Sequence, residues 1–425
     1  MRRLLVTLLL ALAFAAAAAP AQARTRLDAR IDALSRHDLL TRSAVSLVDP
    51  GRQRRARAIA DLTHGASAGW ALAQILAFWW LWRSGTAARL RDTMRRRTRS
   101  RLAHRSVFGA AMGALAPLAA FPFALLSYRV GFNAGVTDER LPQWILDYLV
   151  RIGLDALLGA VLVAGVLWLV DRLRGRWYLV VAGAVYVGSL AGVTLFPLLP
   201  FGPAPKPTPR EIAALGAQES RVVGVPGTPV IVVASSRHSN AMATSVSGVG
   251  PTARVLVGDL TIVHMGLGEI RFVLAQAFAR IEAGASLRTT LLAATLFVTS
   301  AAIAVFLSDR IGFRRDDDAL SRLALVATFL GLVLIVTYPV YTTYLRRLTR
   351  QADAVALAAT DDRAEAVRAL VRYADDDLLP LCDRRSVRWY FDDRPPLGVR
   401  IAALAGTPDP CPGGESASAI ALPGF

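Results

Sequence analysis

Residues from which soluble enzymes commonly build their sites are scarce in this chain. Only two cysteines occur in 425 residues, Cys382 and Cys411, and no C-x-x-C is present, which excludes a cysteine-rich zinc site. Five histidines are present, His37, His64, His104, His238 and His264. No two stand four positions apart, so no helix face carries an imidazole pair. A Gly-rich phosphate loop and a G-x-S-x-G are both missing, which removes P-loop phosphoryl transfer and α/β-hydrolase chemistry. Ser235 and Ser236 precede His238 in a strand-edge loop, too little for a nucleophilic site. No basic stripe is interleaved with aromatics on a soluble segment, so no nucleic-acid partner is expected.

Apolar residues, in contrast, are abundant. They make up 54% of the chain, the mean hydropathy is +0.41 and the formal net charge is +17, mostly arginine. That balance points to several membrane spans rather than one large soluble core. Arg2 and Arg3, the apolar run from Leu4 to Ala19 and Ala21-Gln22-Ala23 read as a secretory signal cleaved after Ala23; the other reading is an uncleaved first helix. Six spans follow, at about 66–82, 107–126, 152–170, 178–199, 289–307 and 323–341. Asp155 lies within the third, facing either a polar cavity or the interface. Basic loops at 83–105, 172–176 and 309–318 mark the cytoplasmic side. Counting from an exported N-terminus places residues 202–287 and the C-terminal tail outside, where Cys382 and Cys411 could form a disulfide.

Residues 202–287 interrupt the membrane pattern. Prolines at 203, 205, 207 and 209 mark a boundary. PREIAALGAQ reads as an amphipathic helix, and TPVIVVAS, NAMATSVS and ARVLVGD read as strands. A helix through Phe272–Glu282 follows. The acidic groups Asp316–Asp318, Asp375–Asp377 and Asp392-Asp393 lack the glycine and spacing of a calcium loop and read as solvated caps or turns.

Six strings in this order resemble one family. They are Gln143-Trp144 with Asp147, His238-Ser239-Asn240-Ala241, Val255–Asp259, Gly268–Ala275, Arg346-Arg347 with Gln351-Ala352-Asp353, and Arg394-Pro395-Pro396-Leu397 with Arg400-Ile401. The chain is thereby similar to the type I CAAX prenyl proteases, integral-membrane zinc metallopeptidases of the H-E-x-x-H class, over about residues 66–404. The resemblance implies a mainly α, polytopic membrane protein with a small α+β metallopeptidase-like domain between spans. It also implies a ring of helices around a large chamber. It divides the chain into a signal at 1–23, an exported N-terminal segment at 24–65, a four-helix membrane region at 66–201, a metallopeptidase-like domain at 202–404 with a two-span hairpin at about 289–341, and a flexible tail at 405–425. The strand carrying His238, Asn240 and Ala241 would pair with an extended peptide substrate.

The family's metal chemistry does not carry over. Two histidines at i and i+4, a glutamate base and a third ligand are needed. Those positions hold Gln276, Ala277, Arg280 and Thr349. Arg280 would repel a dication and Ala277 cannot activate water. No cofactor is therefore expected. Asp353, which steadies the metal ligands in the family, is retained. Arg280 is expected either to replace the metal's charge by pairing with Asp353 or Glu282, or to point to solvent. The resulting expectation is a non-catalytic, peptide- or protein-binding relative in a bacterial inner membrane, with the bilayer and membrane-associated peptides as partners and its metallopeptidase-like domain outside. The alternatives are an active metalloendopeptidase with unrecognised ligands, and a transporter or channel built on the chamber and Asp155.

Overall fold

The structure, a computed structural model of the chain, describes residues 28–97, 100–198, 204–237, 239–312 and 319–411. The expected signal, His238 and Asp316–Asp318 lie outside the described residues. Three short helices lead in: α1 Asp28–Asp32, α2 Arg36–Thr41 and α3 Ala44–Leu47. Long helices follow: α4 Pro50–Arg83, the basic α5 Thr86–Arg97, α6 Arg101–Asn133, α7 Leu141–Leu173 and α8 Trp177–Leu195. The mixed segment contains β1 Pro205–Lys206, α9 Arg210–Val222, β2 Val230–Val233, β3 Thr244–Ser247, β4 Arg254–Gly258, α10 Asp259–His264 and α11 Leu267–Glu282. The hairpin α12 Ala285–Gly312 and α13 Ala319–Thr360 comes next, and then α14 Arg363–Asp376, α15 Arg385–Tyr390 and α16 Leu397–Ala405.

Five described helices are long and apolar enough to cross a membrane: Arg101–Asn133, Leu141–Leu173, Trp177–Leu198, Ala285–Ile311 and Arg322–Thr360. They hold five of the six expected spans. The stretch expected at 66–82 lies on α4, which falls outside that set because Ser67 and Gln74 interrupt it and arginines fill the first half of the helix. The path of α4 nevertheless matches its neighbours. Its start is anchored to the mixed domain through Gln53, whose Nε2 donates to Ala374 O and Leu379 O at 3.2 Å. Its 34 residues reach about 51 Å at about 1.5 Å per residue, and end at the arginine-rich helix α5.

Helices α6 and α7 cross at glycine. A Cβ on Gly109 would lie 2.3 Å from Gly159 O, and one on Gly113 would lie 2.2 Å from Asp155 O. The G-x-x-x-G spacing on α6 therefore admits the α7 backbone itself. Asp155 pairs with Arg151 one turn away on α7 at 4.0 Å, both partly exposed.

Outside the spans, the strands form one sheet in the order β1-β2-β4-β3. β2 and β4 run parallel, whereas β1 and β3 are antiparallel edge strands. β3 reaches only from Thr244 to Ser247, so Asn240 and Ala241 do not lie on the edge strand as expected. They sit in a bend, where the Asn240 N–H donates to Val136 O at 2.8 Å and its side chain to Asp138 Oδ2 at 2.7 Å. The loop between α6 and α7 captures the backbone that was to bind peptide.

The N-terminal segment is not separate from the mixed domain. Ile31, Leu39 and Leu47 are fully buried in the same core as Leu274, Phe278 and Val367. Burying about 1.5–3 kcal/mol of side chain at each such position explains why polar-looking short helices dock there. Arg372, from α14, ties the layers together: it is 1% exposed, donates to both Glu269 oxygens at 2.8 and 3.1 Å, and reaches Asp32 at 2.7 Å. Asp375–Asp377 are buried, not solvated. Asp375 accepts from the Asp49 N–H and pairs with Arg30, and Asp377 accepts from the Met242 N–H. The tail is fixed as far as the Cys382–Cys411 disulfide, so residues 405–411 are not a flexible end; those beyond Cys411 lie outside the described residues.

Replacing Gly109 or Gly113 by valine is expected to force α6 and α7 apart and cost about 1–3 kcal/mol or more. Thermal unfolding in detergent should show a lower midpoint for each. Gly153→Ala, where an added Cβ meets nothing within 4 Å, should stay at or above the parent midpoint.

Candidate functional site

Helix α11 is set up by its own sequence. Glu269, three residues past the Gly266 N-cap, accepts from the Gly266 N–H at 2.6 Å, the returning half of a capping box. Ala283 closes the helix, and Gly284 follows at φ +61°. Phe272, Leu274, Ala275, Phe278 and Ala279 are buried and lock its rotation. Burial also raises the Glu269 carboxyl above its ordinary range despite the ion pair with Arg372.

That rotation sends Gln276 and Arg280, four residues apart, out on one face toward α13. There Thr349 and Asp353 stand four apart in the opposite sense. Gln276 Nε2 donates to Asp353 Oδ1. One turn on, an Arg280 terminal nitrogen donates to Thr349 Oγ1 at 3.2 Å. The structure thus brings Gln276, Arg280, Thr349 and Asp353 into one ladder between two helices. Ala277, which is buried, points into the core beside it.

Asp353 is the most constrained group of the set. It is 2% exposed. Arg400, itself 6% exposed, binds it with both ends of its fork: Nε to Oδ2 at 2.8 Å and a terminal nitrogen to Oδ1 at 2.9 Å. With Gln276 added, both carboxylate oxygens are engaged. Arg280 forms no ion pair with Asp353, and it does not pair with Glu282 either. No ion pair within 4.0 Å involves Arg280 among the described residues. Glu282 is exposed and two positions away, on another side of the helix. Nor does Arg280 point freely to solvent: it is half-buried, and its Nε is buried without a hydrogen-bond partner. Burial, with the positive charges of Arg394 and Arg400, lowers its pKa to about 10, so it stays cationic at neutral pH.

Tested as a zinc site, the donor set does not fit. An amide, a methyl, a guanidinium and a hydroxyl occupy the positions, and the one carboxylate is already held by an arginine. No cluster of three His, Cys, Asp or Glu that could hold a metal occurs among the described residues. In the sequence Arg400 belongs to a terminal string whose spacing from Pro395-Pro396 carries the family likeness but not the partner of the arginine, which lies 47 positions away.

The space between the membrane helices is partly filled. A cavity of about 1030 Å³ lies among α4, α6, α7 and α13, walled by Trp70, Tyr128, Trp144 and Tyr338. Another of about 860 Å³ lies between α8, α12 and α13 and reaches the end of β3 at Val246–Gly248. Arg151 lines the first, whereas Asp155 lines neither.

The sequence matches two family profiles: peptidase family M48 over residues 208–407, and the CAAX prenyl protease N-terminal region of five membrane helices over residues 55–200. No curated protein matches it. Among solved structures, the crystal structure of S. mikatae Ste24p shares the fold, with a TM-score of 0.69 at 16% identity, covering 89% of this chain and 95% of that one.

Asp353→Asn would leave the buried Arg400 unpaired and is expected to destabilise the protein by about 3–5 kcal/mol. Thermal unfolding should show the loss, and Asp353→Asn combined with Arg400→Met should recover part of it. Equal midpoints for the single variant and the parent would rule out the buried pair.

Proposed function

Because this chain belongs to the type I CAAX prenyl protease family, we propose that it is a non-catalytic member that binds membrane-associated peptides. Peptidase family M48 is zinc-dependent. The observation carrying the proposal is the Gln276–Asp353 and Arg280–Thr349 ladder. A permanent cation stands where the second histidine would, and the group that meets Asp353 from α11 is the Gln276 amide instead of an imidazole. Without a metal or a base at position 277, no group in the ladder can activate water for attack on a peptide.

Peptide binding is supported by the sheet. β3 is an edge strand, and an unpaired strand edge offers N–H and C=O groups to an extended chain. The cavity at Val246–Gly248 opens beside it between membrane helices. The docking strand of this reading is Thr244–Ser247; Asn240 is committed to the α6–α7 loop.

The domain is proposed to face outward from a bacterial inner membrane. Two features support this. The arginines of α5 and of the turn after α7 follow the ends of α4 and α7 opposite those that meet the domain through Gln53 and Asn240, as the positive-inside rule requires for a cytoplasmic side. The Cys382–Cys411 bridge belongs to the domain, and disulfides persist in oxidising compartments.

Purified protein is expected to carry well under stoichiometric zinc by elemental analysis and to leave reporter peptides uncut with zinc added. Stoichiometric zinc that is lost with Gln276→Ala would overturn the proposal in favour of an active metalloendopeptidase. For orientation, alkaline phosphatase fused after residue 260 should be active and the same enzyme fused after residue 90 inactive; the reverse pattern places the domain in the cytoplasm.

A further inference from the structure

We infer that Arg280, at the position of the family's second metal ligand, forms an anion site that takes a carboxylate. The mismatch between the residues and a metal ion is the starting point. Replacing two histidines by Gln276 and Arg280 does not simply empty the position. It reverses what the position attracts: a cation site has become one whose own side chain is a cation.

Charge and valence both point the same way. Three guanidinium groups converge here. Arg400 is matched by Asp353, with both nitrogens of its fork engaged at 2.8 and 2.9 Å. Arg280 is not matched. Its described partner is the neutral Thr349 hydroxyl at 3.2 Å, and its Nε is buried and unbonded. The charges of Arg394 and Arg400 act on it unfavourably and those of Asp353 and Asp393 favourably. A half-buried arginine with an unused donor and no carboxylate within 4.0 Å among the described residues has only distant counterions. A carboxylate has the planar two-oxygen geometry that the guanidinium fork binds best. Asp353 acts on Arg280 only from a distance, its three hydrogen bonds coming from Arg400 and Gln276.

The source of the carboxylate follows from the neighbouring strand. α11 packs against β3, and the carboxylate is assigned to a peptide lying along the free edge of β3 with its C-terminal end toward Arg280. The ligand is then the C-terminal carboxylate of that peptide; this part rests on the peptide-binding reading, whereas the anion site itself does not. Glu282, the nearest acidic residue in sequence, is exposed on another side of α11 and does not compete, and the exposed Asp393 acts on Arg280 favourably but forms no ion pair with it within 4.0 Å.

The test uses the full-length protein in detergent and two kinds of probe. Sodium propionate should raise the thermal midpoint saturably, whereas neutral propionamide at equal concentration should not. Arg280→Gln should abolish the propionate effect, and Arg280→Lys, which restores the charge without the fork, should retain part of it. A fluorescein-labelled six-residue Ser/Val peptide with a free C-terminus should bind roughly tenfold or more tightly than its C-terminal amide, as expected for loss of a charge-assisted hydrogen bond. If propionate acts through Arg280 but neither peptide binds, the anion site stands and the peptide-binding reading falls. If acid and amide peptides bind equally and propionate has no effect that depends on Arg280, the inference is overturned and peptide binding stands. Circular dichroism of Arg280→Gln and recovery in Arg280→Lys separate lost binding from lost folding.

Discussion

A carboxylate buried beneath α11 and α13 is the constraint around which the site is arranged. Asp353 is almost fully enclosed, and a lone charge there would be costly by several kcal/mol. Arg400 meets that cost with two hydrogen bonds, and in doing so pins the C-terminal helix α16 to α13. Gln276 adds a third hydrogen bond and fixes the face that α11 shows to α13. Once that face is set, Arg280 has no choice of direction: it must follow Gln276 by one turn and meet Thr349. The ladder is thus a consequence of satisfying one acid in a dry place.

A second buried ion cluster holds the domain around the site. Glu269 caps the start of α11 and is bridged by Arg372 to Asp32. One arginine therefore links the first described helix, the helix at the centre of the site and α14. The core beneath it draws Ile31, Leu39 and Leu47 from before the membrane helices and Val367 and Ile401 from after them. The membrane region is inserted into a domain whose two ends close on each other. The Cys382–Cys411 bridge then ties down the last described residues. Closing a loop of that separation is worth about 3–4 kcal/mol in the chain-entropy account.

Much of this was legible in the residues. Hydropathy placed five spans, because a membrane helix must be apolar over nearly its whole length and that property is local. The helix at Phe272–Glu282 and the strands at Val230, Thr244 and Arg254 were legible for the same reason, through periodicity. The strings from Gln143 to Ile401 carried the family, which the profile matches and the shared fold establish. Asn240 was misplaced because local pattern made it strand, whereas a loop more than 100 positions away took its N–H. Asp375–Asp377 looked solvated because three acids in a row are usually exposed. Their burial depends on Arg30, the Asp49 N–H and the Met242 N–H, none of which is near them in sequence.

The sequence alone determined which chemical groups stand at positions 276, 277, 280 and 349: an amide, a methyl, a guanidinium and a hydroxyl. No folding pattern can turn those into a histidine pair and a carboxylate base. What the tertiary structure decided is how the groups are spent. Sequence left Arg280 free to neutralise Asp353, pair with Glu282 or face water. The fold left it none of the three in full: Arg400, arriving from 47 positions beyond Asp353, holds that carboxylate, Glu282 lies on another side of α11, and packing half-buries the guanidinium. Competition for a single buried acid is settled by which side chains packing brings within hydrogen-bond distance, and packing is not a local property of the chain.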